Sequence, residues 1–158
     1  MELLGREFGD DFLGGFSHGD YAVKNYGGVL LRRIEASAKE SYVGLLGRHP
    51  ICVATTGLHG SVGWKMGEYV AFSRAIVSGK LNYRPPGEFK PGRNYLEFDT
   101  PERCVEAARR VFADAELRRR MMRSNREYYL AHLRPEALVK RTLDIGLAGR
   151  RYLSRSRG

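Results

Sequence analysis

The chain lacks several features that would place it in a membrane, secreted or metal-binding class. No stretch approaches the roughly 20 consecutive apolar residues of a transmembrane helix. The first residues show no charged-then-apolar secretory signal, and we therefore expect a cytoplasmic protein. The 4 histidines are scattered, without the close spacing to cysteine that zinc sites show. The sequence therefore predicts no bound metal and no other cofactor.

Cysteine is scarce as well. Cys52 and Cys104 are the only 2 cysteines in 158 residues. Cys52 lies in a predicted buried strand, and Cys104 lies on the face of a predicted helix. We therefore interpret both as reduced thiols of the core, and neither as a nucleophile or as half of a disulfide.

The remaining composition is that of a soluble globular domain. Hydrophobic residues make up 42% and charged residues 28% of the 158 residues, which suffices for one domain with its own core. We expect this domain to cover residues 1–149. Residues 150–158 are rich in arginine and poor in apolar side chains, and they are predicted to form a disordered basic tail.

The net charge of +9 is concentrated in the C-terminal part of the chain. Residues 1–100 carry 12 basic and 11 acidic side chains, whereas residues 101–158 carry 15 basic and 7 acidic ones. Such a region is typical of proteins that bind nucleic acid or anionic membranes. Its arginines are interrupted by Met121, Met122 and Ser124 and have few aromatic neighbours, which favours a solvated helix face. We expect no specific nucleic acid partner, while peripheral contact with anionic surfaces stays open.

The stretch Ile51–Gly79 has the pattern of a strand, a glycine-bearing loop, a helix and a second strand. Ile51–Ala54 is a short apolar run, as buried parallel strands show, and Thr55–Ser61 is polar and contains 2 glycines. Val62–Phe72 has no proline and predicts a helix, and Ala75–Ser78 predicts the second strand. A strand that leads into a helix through a glycine loop places backbone N–H groups at the helix start, where they can bind an anion.

The predicted helix has two distinguishable faces. Gly63 and Gly67 lie one turn apart, and glycine inside a helix costs about 1 kcal/mol relative to alanine. Met66 and Val70 lie beside them, and we therefore expect this side to pack closely on the sheet. Lys65 and Glu68 lie on another face, which leads back to the loop. They are close enough to pair with each other, or Glu68 can face a ligand, and the spacing leaves both interpretations open.

Residues 57–78 resemble the donor-binding segment of glycosyltransferases of the GT-B architecture (glycosyl transferases group 1), which are built from two Rossmann-like halves. In that family the helix carries a glutamate followed by small apolar residues, and then a strand of the P/A-V-V type. Here Glu68-Tyr69-Val70-Ala71 is followed by Ala75-Ile76-Val77. The resemblance extends over residues 8–138 and concerns the C-terminal, nucleotide-sugar-binding half.

The resemblance implies a site for a nucleotide sugar, which is the donor substrate of such an enzyme. The family glutamate contacts the ribose hydroxyls, and Glu68 is the matching position. Many members carry another glutamate eight residues earlier, where this chain has Gly60, with His59 beside it. Loop N–H groups, the helix dipole and Lys65 would meet the charge of the diphosphate leaving group. The candidate binding residues are Gly57, Leu58, His59, Gly60, Ser61, Lys65 and Glu68.

No catalytic residue is assigned, because the base and the acceptor pocket lie in the other half of such hexosyltransferases. We therefore expect this chain to be inactive alone. Tyr83 and Arg84 follow a strand end, where they either contact a base or phosphate or belong to a solvated loop. Two other classes stay open: a non-catalytic nucleotide-binding or regulatory partner, and a basic module for nucleic acid or anionic membranes.

The predicted fold class is α/β, a partial Rossmann-like parallel sheet of about four strands flanked by helices. The candidate strands lie near residues 12–16, 51–54, 75–78 and 95–98, and they match strands three to six of the family half. Counterparts of its first two strands and of the acceptor-binding half are lacking, so the chain resembles a C-terminal remnant or a stand-alone copy. We expect Phe12–Phe16 to close directly onto Ile51–Ala54, or another chain to fill the gap.

Capping residues predict further helices. Ser37–Glu40 is a capping box for a helix to about Leu46. Thr100 precedes a proline and should start a second helix, Asp114 should cap a third, and Pro135 should separate a last helix that reaches about residue 147. The predicted inward residues of the second and third helices are Val105, Ala108, Val111, Phe112, Leu117, Met121 and Tyr128.

Two segments are predicted to be irregular. Ser17–Gly28 is rich in turn formers and should be a loop with about one helical turn, in which His18 is either exposed or faces a ligand. Lys80–Asn94 contains three prolines and two glycines, which exclude a long regular element.

Overall fold

The computed structural model describes residues 1–31 and 38–155, with side chains up to residue 148. No helix in this part of the chain is both long and apolar enough to cross a membrane. The regular elements, in chain order, are α1 (Glu2–Phe8), α2 (Asp20–Tyr26), α3 (Lys39–Arg48), β1 (Ile51–Ala54), α4 (Trp64–Ala71), β2 (Ala75–Gly79), β3 (Tyr95–Phe98), α5 (Pro101–Ala113), α6 (Ala115–Tyr128) and α7 (Pro135–Arg155).

The strands form one parallel sheet in the order β1-β2-β3. Ile51 lies opposite Ala75, and Ile76 lies opposite Tyr95. The predicted strands at residues 51–54, 75–78 and 95–98 are confirmed, and so is the helix between the first two. The architecture is therefore α/β with a small parallel sheet, which is compatible with a partial Rossmann-like fold.

Helices cover both faces of the sheet, and a hydrophobic cluster fills the space on each side. Alternate residues of β2 point to opposite faces, so that Ile76 belongs to the first cluster while Ala75 and Val77 belong to the second. The second cluster is completed by residues of α1, α5 and α6. The first cluster lies beneath α3 and α4 and contains Leu46, Cys52, Ala54, Met66, Tyr69, Val70, Ile76, Tyr95 and Tyr128.

Both cysteines are free and buried, as predicted. Cys52 belongs to the first cluster and Cys104 to the second. Burial raises the pKa of the Cys52 thiol to about 12, so that the thiol stays protonated at neutral pH. A core role therefore accounts for both side chains.

The side of α4 that faces the sheet consists of Met66, Tyr69 and Val70, which are all buried. The predicted sheet-facing side is confirmed at Met66 and Val70, whereas the prediction that Gly63 and Gly67 pack closely there is wrong. A Cβ at either glycine would have nothing within 4 Å. The glycines face open space because large apolar side chains, one turn apart, already fill the contact with the sheet.

Asn125 of α6 fixes the amino-terminal edge of the sheet. Its Nδ2 donates to the carbonyls of Arg74 (2.7 Å) and Asn94 (2.9 Å), the residues that precede β2 and β3. Its Oδ1 accepts from Nδ2 of Asn94 at 3.0 Å. The side chains of Asn125 and Asn94 are buried, at 0% and 1% exposure. Without them, the backbone carbonyls that they bond would be buried without any hydrogen-bond partner.

The predicted starts of α5 and α6 are confirmed. The Thr100 hydroxyl accepts from the Arg103 amide at 3.2 Å, and the Asp114 carboxylate accepts from the Leu117 amide at 2.8 Å. The inward residues are also largely as predicted, with Ala108, Val111, Leu117, Met121 and Tyr128 buried. Phe112 is the exception: its ring is 49% exposed and packs against Phe8 of α1 at the edge of the second cluster.

The prediction of a strand at Phe12–Phe16 is wrong, and so is its direct closure onto Ile51–Ala54. Phe16 forms a single parallel bridge with Leu30, because its amide donates to Val29 and its carbonyl accepts from Leu31. Its backbone groups are thereby used outside the sheet. The glycine pair in this segment has no side chains to bury, which disfavours a central strand. β1 is accordingly an edge strand of the described sheet.

Three helices differ in extent from their predictions. The segment Ser17–Gly28 holds a full helix, α2, rather than one turn, and His18 before it is exposed and bonds the Leu31 carbonyl at 2.7 Å. α3 begins after Ala38 and ends past residue 46, while the predicted cap Ser37 lies outside the described residues. α7 starts at Pro135 as predicted and is assigned past residue 147. The separation of residues 150–158 as a tail stays a prediction.

Candidate functional site

The loop between β1 and α4 closes on itself at the carboxyl-terminal edge of the sheet. The Gly57 amide donates to the Ser61 carbonyl at 2.7 Å, the Gly60 amide to Gly57 at 3.0 Å, and the Ser61 amide to Leu58 at 3.2 Å. These bonds shape a single 3₁₀ turn, Leu58–Gly60. The three amides are therefore already bonded in this conformation and are not free to bind an anion.

Gly60 occupies a position that only glycine fits well. Its φ is +73°, and a Cβ there would lie 2.3 Å from Nδ2 of Asn82. His59 beside it also has a positive φ, of 56°. Because Asn82 belongs to the segment that follows β2, the loops after β1 and β2 pack closely against each other at Gly60. The absence of a side chain at Gly60 makes this close packing possible.

Glu68 is the charged centre of the predicted site. Its carboxylate accepts from Nζ of Lys39 on α3, and not from Lys65, with which the sequence allowed it to pair. The Glu68 side chain is 27% exposed and that of Lys39 is 71% exposed, so the pair lies at the surface of the molecule. The structure therefore adds Lys39 to the candidate site, a residue that sequence reasoning missed.

The charge of Glu68 is well stabilised. Burial acts to raise its pKa, but Lys39 and the nearby Tyr42 hydroxyl hold that pKa below its ordinary value. Lys65 adds a weaker attraction in the same direction. At neutral pH, Glu68 is a carboxylate that can only accept hydrogen bonds.

Two tyrosines lie between α3, α4 and β1 behind this carboxylate. The Tyr69 hydroxyl makes one long contact, of 3.5 Å, with the Val53 carbonyl. The Tyr42 hydroxyl is buried and makes no hydrogen bond with any residue that the structure describes. Burial, followed by the nearby Tyr69 and Glu68, raises the pKa of Tyr42, so its hydroxyl stays protonated at neutral pH.

Three of the other predicted site residues are exposed to solvent, whereas Gly57, Gly60 and Ser61 are partly buried. Leu58 is 81% exposed, and His59 and Lys65 are exposed as well. Glu68 and Lys65 share one face of α4, while the turn Leu58–Gly60 precedes its first residue. The structure therefore brings Glu68, Lys39 and Lys65 together as one charged group and leaves the turn as a separate, adjoining surface.

A cavity of about 420 Å³ lies on the other side of α4. It is bounded by the glycine face of the helix, by the proline-containing loop after β2 and by the segment after α6. Its lining includes Gly63, Gly67, Arg84, Phe89 and Tyr128. The sequence predicts helix–sheet contact from the spacing of the two glycines and does not indicate this cavity.

Comparison of the chain with protein-family models, with curated proteins and with solved structures finds no match. The resemblance to GT-B glycosyltransferases therefore stays a prediction.

Proposed function

We propose that this chain is the nucleotide-sugar-binding portion of a GT-B-type glycosyltransferase, without transferase activity of its own. The observation that supports the proposal most is the environment of Glu68. Its carboxylate lies on the helix that follows the first strand of a parallel sheet, and Lys39 and Lys65 keep it ionised. In open parallel sheets, nucleotides bind at this carboxyl-terminal edge.

The chemistry of such a site is positioning and charge stabilisation. An ionised carboxylate accepts hydrogen bonds from two neighbouring ribose hydroxyls. Lys39 is 71% exposed and can leave Glu68 when the ribose arrives, moving its ammonium group toward the diphosphate. The loop amides of Gly57, Gly60 and Ser61 are bonded within the loop, so the diphosphate would meet the first amides of α4 instead.

The proposal is tested by calorimetric titration with nucleoside diphosphates of uridine, guanosine and adenosine. We expect the wild-type chain to bind at least one of them, and the Glu68→Gln variant to bind it at least about tenfold more weakly, as loss of a charged hydrogen bond would cause. The variant Glu106→Gln, on the opposite face of the sheet, serves as the control and should bind as wild type does. Equal binding by Glu68→Gln and wild type would remove the assignment.

Sugar transfer is the second arm of the same test. The purified chain, supplied with a nucleotide sugar and simple acceptors, should show no enzymatic transfer, because the chain offers no assigned base or acceptor pocket. Robust transfer would show that the acceptor-binding half is not needed. Binding without transfer fits both a donor-binding portion and a non-catalytic regulatory partner. Sugar transfer after addition of an acceptor-binding half would support the donor-binding portion.

A second candidate function is attachment to an anionic membrane surface through α7. Val139, Leu143 and Leu147 recur every four residues and therefore share one face of this helix, where they are 59%, 59% and 54% exposed, next to the exposed Lys140 and Arg141. An apolar stripe flanked by basic residues is typical of helices that lie in the membrane interface. Exposed aliphatic side chains do not favour nucleic acid, which is read by charge and stacking.

Sedimentation with lipid vesicles tests this second function. We expect the chain to sediment with phosphatidylserine-containing vesicles and not with phosphatidylcholine vesicles, and the Leu143→Gln variant to sediment less. Val23→Gln, which removes a similarly exposed aliphatic side chain from α2, is the matched control. Equal sedimentation of all three proteins would contradict a role of α7, and salt-sensitive binding to polynucleotides alone would favour the nucleic acid alternative.

A further inference from the structure

The cavity beside α4 has the dimensions of a ligand site. Its volume of about 420 Å³ lies within the range of roughly 300–1,000 Å³ that small-molecule pockets show. Most of its wall is apolar and includes Met66, Val70 and Leu133, and the rings of Phe89 and Tyr128 pack at 4.8 Å to form one end. The wall is built on the first hydrophobic cluster, so its shape is held by the core.

Two of the residues that line the cavity are glycines. Gly63 and Gly67 contribute only backbone, and a Cβ at either position would meet no atom within 4 Å. Gly63 precedes the first residue of α4, whereas Gly67 lies inside the helix, where glycine lowers helix stability and gains no close packing in return. The space that the missing side chains would occupy is part of the cavity.

The charge on the cavity is positive. Arg84 is the one ionised side chain of its lining, and it makes no ion pair or side-chain hydrogen bond with any residue that the structure describes. Trp64 also lines the cavity and is 92% exposed, so that a large aromatic surface lies open beside the cation. An apolar space with an unpaired guanidinium is complementary to an apolar chain that ends in an anion.

We propose that this cavity binds an anionic amphiphile, a single apolar chain with a phosphate or carboxylate head group. The chain lies along the glycine face of α4 against Phe89 and Tyr128, and the head group meets Arg84. This site is separate from Glu68, which faces the other side of the helix, and the inference does not depend on nucleotide binding. The proposed nucleotide-sugar site does not include this cavity.

The single tryptophan of the chain supplies the readout, because Trp64 lies on the cavity wall. We use decyl phosphate below its micelle concentration as the probe, with decanol and inorganic phosphate as its apolar and anionic halves. We expect decyl phosphate to shift the tryptophan emission to shorter wavelength in a saturable manner and calorimetry to give the same affinity. Decanol should bind at least about tenfold more weakly, since it cannot pair with a guanidinium, and inorganic phosphate should not bind measurably.

Two variants address the two halves of the site. Arg84→Gln should weaken decyl phosphate binding about tenfold and leave decanol binding unchanged. Gly67→Leu should abolish binding of both, because its side chain fills the cavity. Arg110→Gln removes a positive charge from α5 and is the control for Arg84→Gln. Gly44→Leu adds a side chain in open space on α3 and is the control for Gly67→Leu. Both control variants should bind decyl phosphate as wild type does.

Circular dichroism and thermal unfolding of each variant show that it is folded before it is titrated. Absence of saturable decyl phosphate binding to wild type by both fluorescence and calorimetry would overturn the proposal. Unchanged binding by a folded Gly67→Leu variant would overturn it too, since the probe would then lie elsewhere. Equal affinity of decanol and decyl phosphate would remove the role of Arg84 and with it the proposed ligand class.

Discussion

Lys39 on α3 donates to the carboxylate of Glu68 on α4, and this ion pair joins the two helices that cover the first hydrophobic cluster. Glu68 is the residue that the proposed function assigns to the ribose. The negative charge of Glu68 is matched by the exposed ammonium group of Lys39. The pair stabilises the fold slightly and keeps the carboxylate ionised and in place.

The first prediction concerns the pH dependence of this pair. The folded-state pKa of Glu68 lies below the ordinary value of 4.5, so its stabilising contribution is fully present above that pH and is lost as the pH falls through the lower, folded-state pKa. We expect Glu68→Gln to lower the free energy of unfolding at pH 7 by no more than about 1 kcal/mol, as partly exposed pairs do. Denaturant titrations from pH 7 down to pH 3 should show the difference shrinking below pH 4.5. A difference that stays constant over this range would contradict the assigned cause.

The second prediction concerns the two kinds of glycine on either side of the α4 start. Gly67→Ala should raise the free energy of unfolding by about 0.5–1 kcal/mol, because alanine favours the helix and its Cβ meets nothing within 4 Å. Gly60→Ala should lower it by about 1–3 kcal/mol, because its φ is +73° and the Cβ would collide with Asn82. Denaturant titration of both variants checks the opposite signs. Destabilisation by Gly67→Ala would mean that this face packs closely after all.

The third prediction concerns the buried asparagine pair at the amino-terminal edge of the sheet. Asn125→Ala should lower the free energy of unfolding by about 3 kcal/mol or more, because Nδ2 and the carbonyl of Asn94 and the carbonyl of Arg74 each lose their bond to Asn125. Asn25→Ala is the matched control: its side chain donates to the Tyr21 carbonyl at 2.8 Å on an exposed helix, and its loss should cost less than about 1 kcal/mol. Thermal or denaturant unfolding of the two variants measures the contrast. Similar costs would show that water replaces the bonds of Asn125.

The sequence allowed the central unit of the fold to be predicted because its signals are local. The apolar runs at Ile51–Ala54 and Ala75–Ser78 are short, and the capping residues Thr100 and Asp114 act on amides three residues away. Each such signal involves neighbouring residues alone. Helices α5 and α6 and all three strands were found in this way.

The errors arose where distant residues decide the outcome. Phe12–Phe16 is apolar enough for a strand, but its last residue pairs with Val29 and Leu31, which no local pattern reveals. Phe112 has helical spacing for burial, yet it lies where α5 meets only the short α1 and stays half-exposed. Spacing gives the face of a helix, and the neighbouring elements decide how much of that face is covered.

Only the part of the candidate site that lies within one helix could be predicted from the sequence. Glu68 and Lys65 share a helix, so their proximity could be read from spacing. Lys39 and Tyr42 come from α3, and only the folded chain brings them to Glu68. The cavity next to Arg84 depends on the segment after α6, far along the chain, and no pattern in residues 57–86 indicates it.

The contact between Glu68 and a ribose is the central claim, and a comparison of ribose with 2′-deoxyribose tests it most directly. A nucleoside diphosphate that binds wild type and its 2′-deoxy counterpart are each titrated into wild type and Glu68→Gln by calorimetry. We predict that loss of the hydroxyl weakens binding to wild type about tenfold and has little further effect on the variant, because both changes remove the same hydrogen bond. Equal loss of affinity in the two proteins would show that the hydroxyl and Glu68 act independently, and would contradict the claim.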